Sequence, residues 1–167
     1  MNFSEEFTCS QYVFTAICTD DGAALFDAVS SDKFPSSLPL AKIATIDEAR
    51  QWCSDRSSDW NTGTCFVWTC RRQDDLATIG QVTLFPQENY LALAYWVNPK
   101  YWGKGLAVEI CRSLISQISC SGYRGNIWAG VHSWNNRSEA VLRKLGFTKL
   151  TNFKESDTYE YSLAIVS

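Results

Sequence analysis

A short glycine-containing segment, YWGKGLA at residues 101–107, constrains the fold of this chain more than any other feature. It follows an apolar, aromatic run over residues 91–97 and precedes a stretch with the hydrophobic period of a helix. Two glycines let a ligand approach the backbone closely, and the first turn of a helix has N–H groups without internal acceptors. Because the helix dipole adds positive charge there, the order strand, turn, helix predicts a site for a pyrophosphate or similar anion.

Length and charge narrow the class of protein. The 167 residues suffice for one domain with a proper core, and we expect a single domain over residues 1–167. The formal net charge of −3 predicts no general attraction to nucleic acid or to an acidic membrane surface. Basic residues nevertheless gather near the glycine segment and its downstream partner, which suits a small anion: Lys100, Lys104, Arg137, Arg143 and Lys144.

Cysteine and histidine usage indicates neither a metal site nor a disulfide framework. The seven cysteines are an odd number without a CxxC pair, and His132 is the single histidine, so we expect no bound metal. No basic segment followed by an apolar one begins the chain, and no apolar run reaches membrane-spanning length. We therefore predict reduced thiols in a cytoplasmic protein that does not bind membranes.

Hydrophobic periodicity predicts alternating strands and helices within one mixed α/β domain. Residues 1–10 are predicted to be an irregular lead-in, and the second helix is predicted to begin near Thr45 and to fade from residue 54 onward. A first helix is predicted after the turn at residues 20–22, with Ala24, Leu25, Ala28 and Val29 on its buried face, and two more are predicted over about residues 104–120 and 135–145. Strands are predicted over residues 12–18, 64–70, 78–85, 90–97, 126–131, 147–153 and 159–165.

A second segment strengthens the first. NNRS at residues 135–138 opens a short predicted helix, and VLRKLGF follows at residues 141–147. With AYWVNP at residues 94–99 and YWGKGLAVE at residues 101–109, these segments resemble the GNAT superfamily of N-acetyltransferases, and within it the RimJ/RimL-like branch. The firm resemblance covers about residues 78–150. The broader superfamily has Gln or Arg where this chain has Trp102, a departure that the branch shares.

The resemblance implies a fold and a reaction. The expected fold is α/β, with a central mixed, mostly antiparallel sheet of six to seven strands, splayed between the fourth and fifth strands and flanked by about four helices. The implied reaction moves an acetyl group from acetyl-CoA to a primary amine, in a peptide N-terminus or a small molecule, by direct transfer in a ternary complex. A monomer or a homodimer would be compatible with it.

The resemblance also implies which residues bind the cofactor. Main-chain amides of about Trp102 to Ala107 would bind the pyrophosphate, and the backbone of Trp96 and Val97 would pair with the pantetheine arm like an added strand. The strands that carry Val97 and Val131 would separate to admit the thioester. The full set implied for acetyl-CoA is Trp96, Val97, Trp102, Gly103, Lys104, Gly105, Leu106, Ala107, Asn135 and Ser138.

Asn135 and Ser138 are three residues apart in the first turn of a predicted helix and therefore share one face. By resemblance, Asn135 would bond to the pantetheine or cap the helix, and these two roles are compatible. Ser138 would lie near the thioester sulfur as a proton donor. The alternative is that its hydroxyl only satisfies a backbone group.

The general base is not evident, because the positions where many relatives have Glu are Ala92, Leu93 and Ala94. His132 has an intrinsic pKa suited to proton transfer, and Glu160 is a second candidate. Glu88, Glu155 and Asp157 are also available. The missing carboxylate could mean catalysis without a base, a relocated base or a changed substrate. It also motivates an alternative function, a catalytically idle acyl-CoA-binding or regulatory domain.

Overall fold

The computed structural model describes residues 1–150 and 157–166. Four α-helices occur in this part of the chain: α1 (Gly22–Val29), α2 (Ile46–Thr62), α3 (Leu106–Cys120) and α4 (Asn136–Lys144). The strands are β1 (Glu6–Cys9), β2 (Tyr12–Ala16), β3 (Phe66–Arg72), β4 (Thr78–Pro86), β5 (Tyr90–Val97), β6 (Gly125–His132), β7 (Thr148–Lys149) and β8 (Thr158–Ile165).

The strands form one sheet in the order β1-β2-β3-β4-β5-β6-β8-β7. Neighbouring strands are antiparallel except β5 and β6, which are parallel because α3 connects them as a crossover. The mixed α/β fold with a mostly antiparallel, open sheet is therefore confirmed. The described residues contribute eight strands rather than six or seven.

The additional strand is β1, where the sequence predicts an irregular lead-in. Phe7 is buried and its ring stacks on Phe14 of β2, with ring centroids 4.5 Å apart. A strand of four residues offers too little alternation to be recognised in advance, and this one forms because β2 provides a pairing edge. The predicted strand over residues 147–153 is observed as β7, and its residues 151–153 lie outside the described residues.

The second helix begins as predicted but ends later. Thr45, the N-cap, accepts a hydrogen bond from the Glu48 amide at 3.1 Å, and the Glu48 carboxylate accepts one from the Ala44 amide at 2.8 Å, so two main-chain donors at the N-terminus are satisfied by side chains. The helix continues through its polar second half because Trp60 packs edge-on against Trp68, with centroids 4.9 Å apart. Gly63 then ends the helix in the left-handed conformation, with φ of 75°.

Two layers of side chains cover the sheet. On one face, α3 packs Ile110, Leu114 and Ile118 against buried residues of β4, β5 and β6. On the other face, α1 and α2 bury Leu25, Cys53 and their neighbours against β3 and the indole of Trp96. Because side chains alternate along β5, Trp96 and Val97 point to opposite layers.

Gly80 of β4 lies directly against the backbone of β5. A Cβ added to this glycine would stand 2.0 Å from the carbonyl oxygen of Trp96, so the two strands could not keep their spacing. We expect Gly80→Ala to lower the free energy of unfolding in urea by about 3 kcal/mol. Gly63→Asn is the control, because nothing lies within 4 Å of its added Cβ and Asn tolerates a left-handed helix end. Equal urea midpoints for the two variants would contradict this packing.

A buried carboxylate ties α4 to the edge of the sheet. Glu139 accepts a hydrogen bond from the hydroxyl of Tyr161 and lies 3.5 Å from Arg143 and 3.6 Å from Lys149. The bond from Tyr161, followed by the two cations, lowers the pKa of the Glu139 carboxyl below its ordinary value. Because Ser138 is its chain neighbour, this anchor also holds the first turn of α4 in place.

The lowered pKa predicts an acid-sensitive contribution to stability. A carboxyl with a lower pKa in the folded state stabilises the fold above its unfolded pKa of about 4.5, and that contribution disappears as the pH falls further. Glu139→Gln should therefore lower the free energy of unfolding by about 2 kcal/mol at pH 7. The difference in this free energy between the variant and wild type should become smaller toward pH 3. Urea titrations across this range measure both effects. A difference that is constant with pH would contradict the assignment.

Candidate functional site

A cleft of about 310 Å³ lies where β5, α3 and α4 meet. Its first wall is the end of β5 with the glycine segment and the start of α3, and its second wall is the first half of α4. Its third wall is the loop between α1 and α2. The residues that line the cleft include Phe34, Leu38, Tyr95, Trp96, Val97, Trp102, Gly103, Gly105, Leu106, Ala107, Asn135, Arg137, Ser138 and Lys144.

The glycine segment forms a turn that leaves several amides free. Gly103 and Gly105 have φ of 81° and 73°, a backbone conformation that favours glycine, and α3 starts at Leu106 directly afterwards. In the described structure, no protein acceptor is recorded for the main-chain N–H groups of residues 103–108. These free donors, at the positive end of a helix dipole, can bind an anionic group.

The amide of Trp102, the residue before Gly103, is not free. The Trp102 amide donates to the carbonyl of Pro99 at 3.1 Å, so the unengaged donors begin at Gly103. Its indole Nε1 donates to the carbonyl of Val97 at 2.9 Å, which fixes the turn against the end of β5. Trp102 therefore contributes to the cleft through its ring.

A stacked cation closes one end of the cleft. The guanidinium of Arg137, in α4, lies over the indole of Trp102, with 3.5 Å between the guanidinium carbon and the ring centroid. Lys144 also lines the cleft, whereas Lys104 is exposed and is not among the lining residues of the described chain. Positive charge therefore lies on the α4 side of the free amides.

The first turn of α4 presents the two predicted polar residues to the cleft. Asn135 is the N-cap, and its Oδ1 accepts a hydrogen bond from the Ser138 amide at 3.1 Å. The side-chain oxygen of Asn135 is therefore engaged in capping α4. The Ser138 hydroxyl is directed toward β5, where it meets a side chain that the sequence analysis missed.

That side chain is Tyr95. Its hydroxyl lies 2.6 Å from Oγ of Ser138, and burial raises the pKa of the phenol well above its ordinary value. Tyr95 is therefore protonated at neutral pH and can donate to Ser138. One signal could have indicated it: Tyr95 shares the buried face of β5 with Leu91, Leu93 and Val97, and a hydroxyl on such a face needs a partner.

The strands beside the cleft separate as expected. β5 pairs with β6 only from Tyr90 to Ala92, opposite residues 126–128, whereas β6 remains paired with β8 through His132. Residues 93–97 of β5 and 129–132 of β6 thus border an opening, here named the strand gap. With β1 included, it lies between the fifth and sixth strands. Tyr95 stands at its border on the cleft side.

The candidate bases lie outside the cleft. In the described chain, neither His132 nor Glu160 is among the lining residues. The His132 ring stacks on Trp134, with centroids 5.4 Å apart, and Glu160 accepts a hydrogen bond from Nε1 of Trp128 at 3.2 Å. Glu155 lies outside the described residues. No carboxylate of the described chain therefore lines the cleft.

Two further observations concern the described residues alone. No group of three or more His, Cys, Asp or Glu side chains is arranged to bind a metal ion. None of the helices is both long and apolar enough to span a bilayer.

Comparisons with known proteins agree with this geometry. The model of the acetyltransferase (GNAT) domain family matches residues 12–148. The uncharacterized N-acetyltransferase YoaA of Bacillus subtilis is 24% identical over 140 residues, which are 82% of this chain and 79% of YoaA.

Among solved structures, RimL, a ribosomal L7/L12 alpha-N-protein acetyltransferase in complex with coenzyme A, superposes with a TM-score of 0.82. Its identity is 17%, and the match covers 96% of this chain and 98% of RimL. The microcin C7 self-immunity acetyltransferase MccE, in complex with acetyl-CoA and AMP, has a TM-score of 0.80 at 17% identity and covers 94% of each chain. The neighbours thus include RimL itself, as the resemblance to its branch predicts.

Proposed function

Because this chain belongs to the acetyltransferase (GNAT) domain family, we propose that it transfers the acetyl group of acetyl-CoA to a primary amine within a ternary complex. One observation carries the proposal: a single cleft contains both the free amides of the glycine segment and the Tyr95–Ser138 pair. The complexes of RimL with coenzyme A and of MccE with acetyl-CoA support the choice of cosubstrate.

The described residues fit this cosubstrate. The amides of residues 103–107 are unengaged donors for diphosphate oxygens, and Arg137 and Lys144 supply compensating charge. The unpaired edge of β5 beyond Ala92 offers main-chain partners to the pantetheine amides, as Val97 was predicted to do. The Trp96 carbonyl lies against Gly80 of β4 instead, so its main chain is directed away from this edge. The carbonyl of Val97 already accepts one bond, from Trp102, so its N–H is the better candidate.

The chemistry requires few protein groups. The amine nitrogen attacks the thioester carbonyl carbon, the C–S bond breaks, and the sulfur takes a proton from Oγ of Ser138. Tyr95 can donate to Ser138 and so replace the proton that the serine gives up, and the tyrosine is then reprotonated from solvent. The acceptor attacks as the neutral amine, a form that an α-amino group with a pKa near 8 partly adopts at neutral pH, and its nitrogen loses one proton to water after the attack. Catalysis can therefore proceed although no carboxylate of the described chain lines the cleft.

The setting of the reaction is part of the proposal. A reducing compartment such as the cytoplasm is supported by the seven cysteines, none of which is in a disulfide. Cys53, Cys65, Cys70 and Cys111 are buried, as expected of small core residues. One domain acting as a monomer or a homodimer is the arrangement that we propose.

The test combines binding with turnover. Calorimetric titration with acetyl-CoA should give a dissociation constant in the micromolar range, and no heat of binding at high micromolar concentrations would overturn the proposal. Release of free thiol is then measured with a panel of amines and peptides. Binding without turnover across that panel would instead support the idle acyl-CoA-binding domain, which the absence of a carboxylate at residues 92–94 favours.

A further inference from the structure

Among the described residues, no helix covers the sheet face opposite α3 and α4 beside the strand gap. Leu93, Ala129 and Val131 point into the core under α3, so the residues that alternate with them belong to the opposite face. Two of these, Ala94 and Gly130, are exposed although each lies within its strand. The small side chain of Ala94 leaves room on the β5 side of the gap for an acceptor to reach the thioester from this face.

An indole lies at the edge of this entrance. A Cβ added to Gly130 would stand 2.8 Å from Cη2 of Trp128, so the ring extends along β6 over the glycine. The ring of Tyr90 lies near it, with centroids 5.9 Å apart and planes inclined by 45°. Trp128 therefore borders the entrance, and Tyr90, in the paired part of β5, lies beside its ring.

A carboxylate stands directly behind the indole. Glu160 of β8 pairs with Gly130 of β6, and its Oε1 accepts the hydrogen bond from Trp128 Nε1. Glu160 is only partly exposed, and within the described residues it has no ion-pair partner. Aromatic faces carry partial negative charge and attract cations within about 6 Å. The rings and the carboxylate together form a negative surface, which no cation of residues 1–150 and 157–166 neutralises through an ion pair.

This surface is displaced from the reacting atoms. Adjacent strands lie about 4.8 Å apart, and Glu160 is on the strand beyond β6, counted from the gap. A nucleophilic amine in the gap therefore cannot itself be the group that rests against Glu160. A second group of the acceptor, about 5–8 Å from the nucleophilic nitrogen, would meet Trp128 and Glu160.

We propose that the acceptor is an amine with a second cationic group, which docks against Trp128 and Glu160 while the nucleophilic amine enters the strand gap. This inference rests on the proposed function and assigns its substrate class. Short aliphatic diamines have this chemistry, and so do peptides with Lys or Arg next to a free N-terminus. In this arrangement Glu160 binds the acceptor and does not remove a proton from the attacking nitrogen.

The experiment compares acceptors that differ by one charge. Acetyl transfer is measured for 1,4-diaminobutane against butylamine, and for a peptide with Lys at its second position against the same peptide with norleucine. We expect the dicationic member of at least one pair to have the higher kcat/KM, by about tenfold or more. The pair that shows the larger ratio identifies the source of the acceptor.

Variants then test whether Trp128 and Glu160 cause the preference for the dicationic acceptor. Glu160→Gln and Trp128→Phe should each reduce the ratio at least threefold through KM, while the dissociation constant of acetyl-CoA is unchanged. Glu6→Gln removes the same charge from β1, at the opposite edge of the sheet, and should retain the wild-type ratio. Thermal unfolding of each variant verifies that it is folded.

The outcomes separate this inference from the proposed function. If both members of every pair were turned over with equal kcat/KM, the acceptor would not need a second cationic group. The inference would then be wrong, whereas acetyl transfer itself would stand. A preference that survives in both Glu160→Gln and Trp128→Phe would place the cation elsewhere and equally overturn the inference. Absence of turnover with every acceptor would instead count against the proposed function.

Discussion

Replacing Ser138 by alanine is expected to lower kcat for acetyl transfer by about 10²- to 10⁴-fold, the range that a positioned proton donor contributes. The hydroxyl of Ser138 lies in the cleft and is held 2.6 Å from that of Tyr95, so its loss removes the group that we propose as the proton donor to the departing thiolate. The dissociation constant of acetyl-CoA should change less than threefold, because the main-chain donors and Arg137 are retained. Calorimetry and thiol release measure the two quantities separately.

Two control variants sharpen this prediction. Ser116→Ala removes a hydroxyl from the exposed side of α3 and should retain wild-type kcat. Tyr95→Phe leaves the Ser138 hydroxyl in place and should lower kcat less than Ser138→Ala does, since it removes only the hydrogen-bond partner of the serine. A Ser138→Ala enzyme with kcat within threefold of wild type would show that this hydroxyl is structural and serves only to bond to Tyr95.

The second prediction with a large effect is that a negative charge at the glycine turn weakens the binding of acetyl-CoA. Gly105 is the N-cap of α3 in the left-handed conformation, which Asp and Asn both tolerate, and no atom lies within 4 Å of an added Cβ. Gly105→Asp and Gly105→Asn are therefore nearly isosteric and differ by one negative charge. Beside a diphosphate charge about 6–8 Å away, that charge costs about 2–3 kcal/mol at an effective dielectric constant near 20.

We therefore expect Gly105→Asp to bind acetyl-CoA about 30- to 150-fold more weakly than Gly105→Asn, as measured by calorimetry at low salt. The difference should shrink at high ionic strength. Thermal stability should respond differently, because an acidic residue at a helix N-terminus stabilises the dipole, and Gly105→Asp should melt no lower than Gly105→Asn. Equal affinities of the two variants at low salt would mean that the diphosphate does not lie at this turn.

Local patterns sufficed for the elements that position the site. The YWGKGLA segment predicted a turn before a helix, and the structure has glycines 103 and 105 at positive φ immediately before α3. Asn135 was expected to cap α4, and it does so through Ser138. In each case the cause lies within a few residues of chain, which is why periodicity and capping rules could identify it.

Contacts between distant segments could not be predicted in the same way. Phe34 and Leu38 line the cleft because the loop between α1 and α2 folds over the end of β5, and nothing in their own segment indicates that contact. The pairing of Tyr95 with Ser138 joins residues 43 positions apart. Glu160 is next to Trp128 only because β8 inserts between β6 and β7 in the sheet order. Such neighbours follow from topology and register rather than from local pattern.

The most direct test of the central claim observes the main-chain donors themselves. In an amide-resolved NMR titration of the ¹⁵N-labelled protein with coenzyme A, the N–H resonances of Gly103, Gly105 and Leu106 should move downfield as diphosphate oxygens accept their hydrogen bonds. Pantetheine, which lacks the diphosphate, should leave these three resonances in place while it shifts those of β5. If coenzyme A binds and the three resonances do not move, the turn does not hold the diphosphate and the account is contradicted.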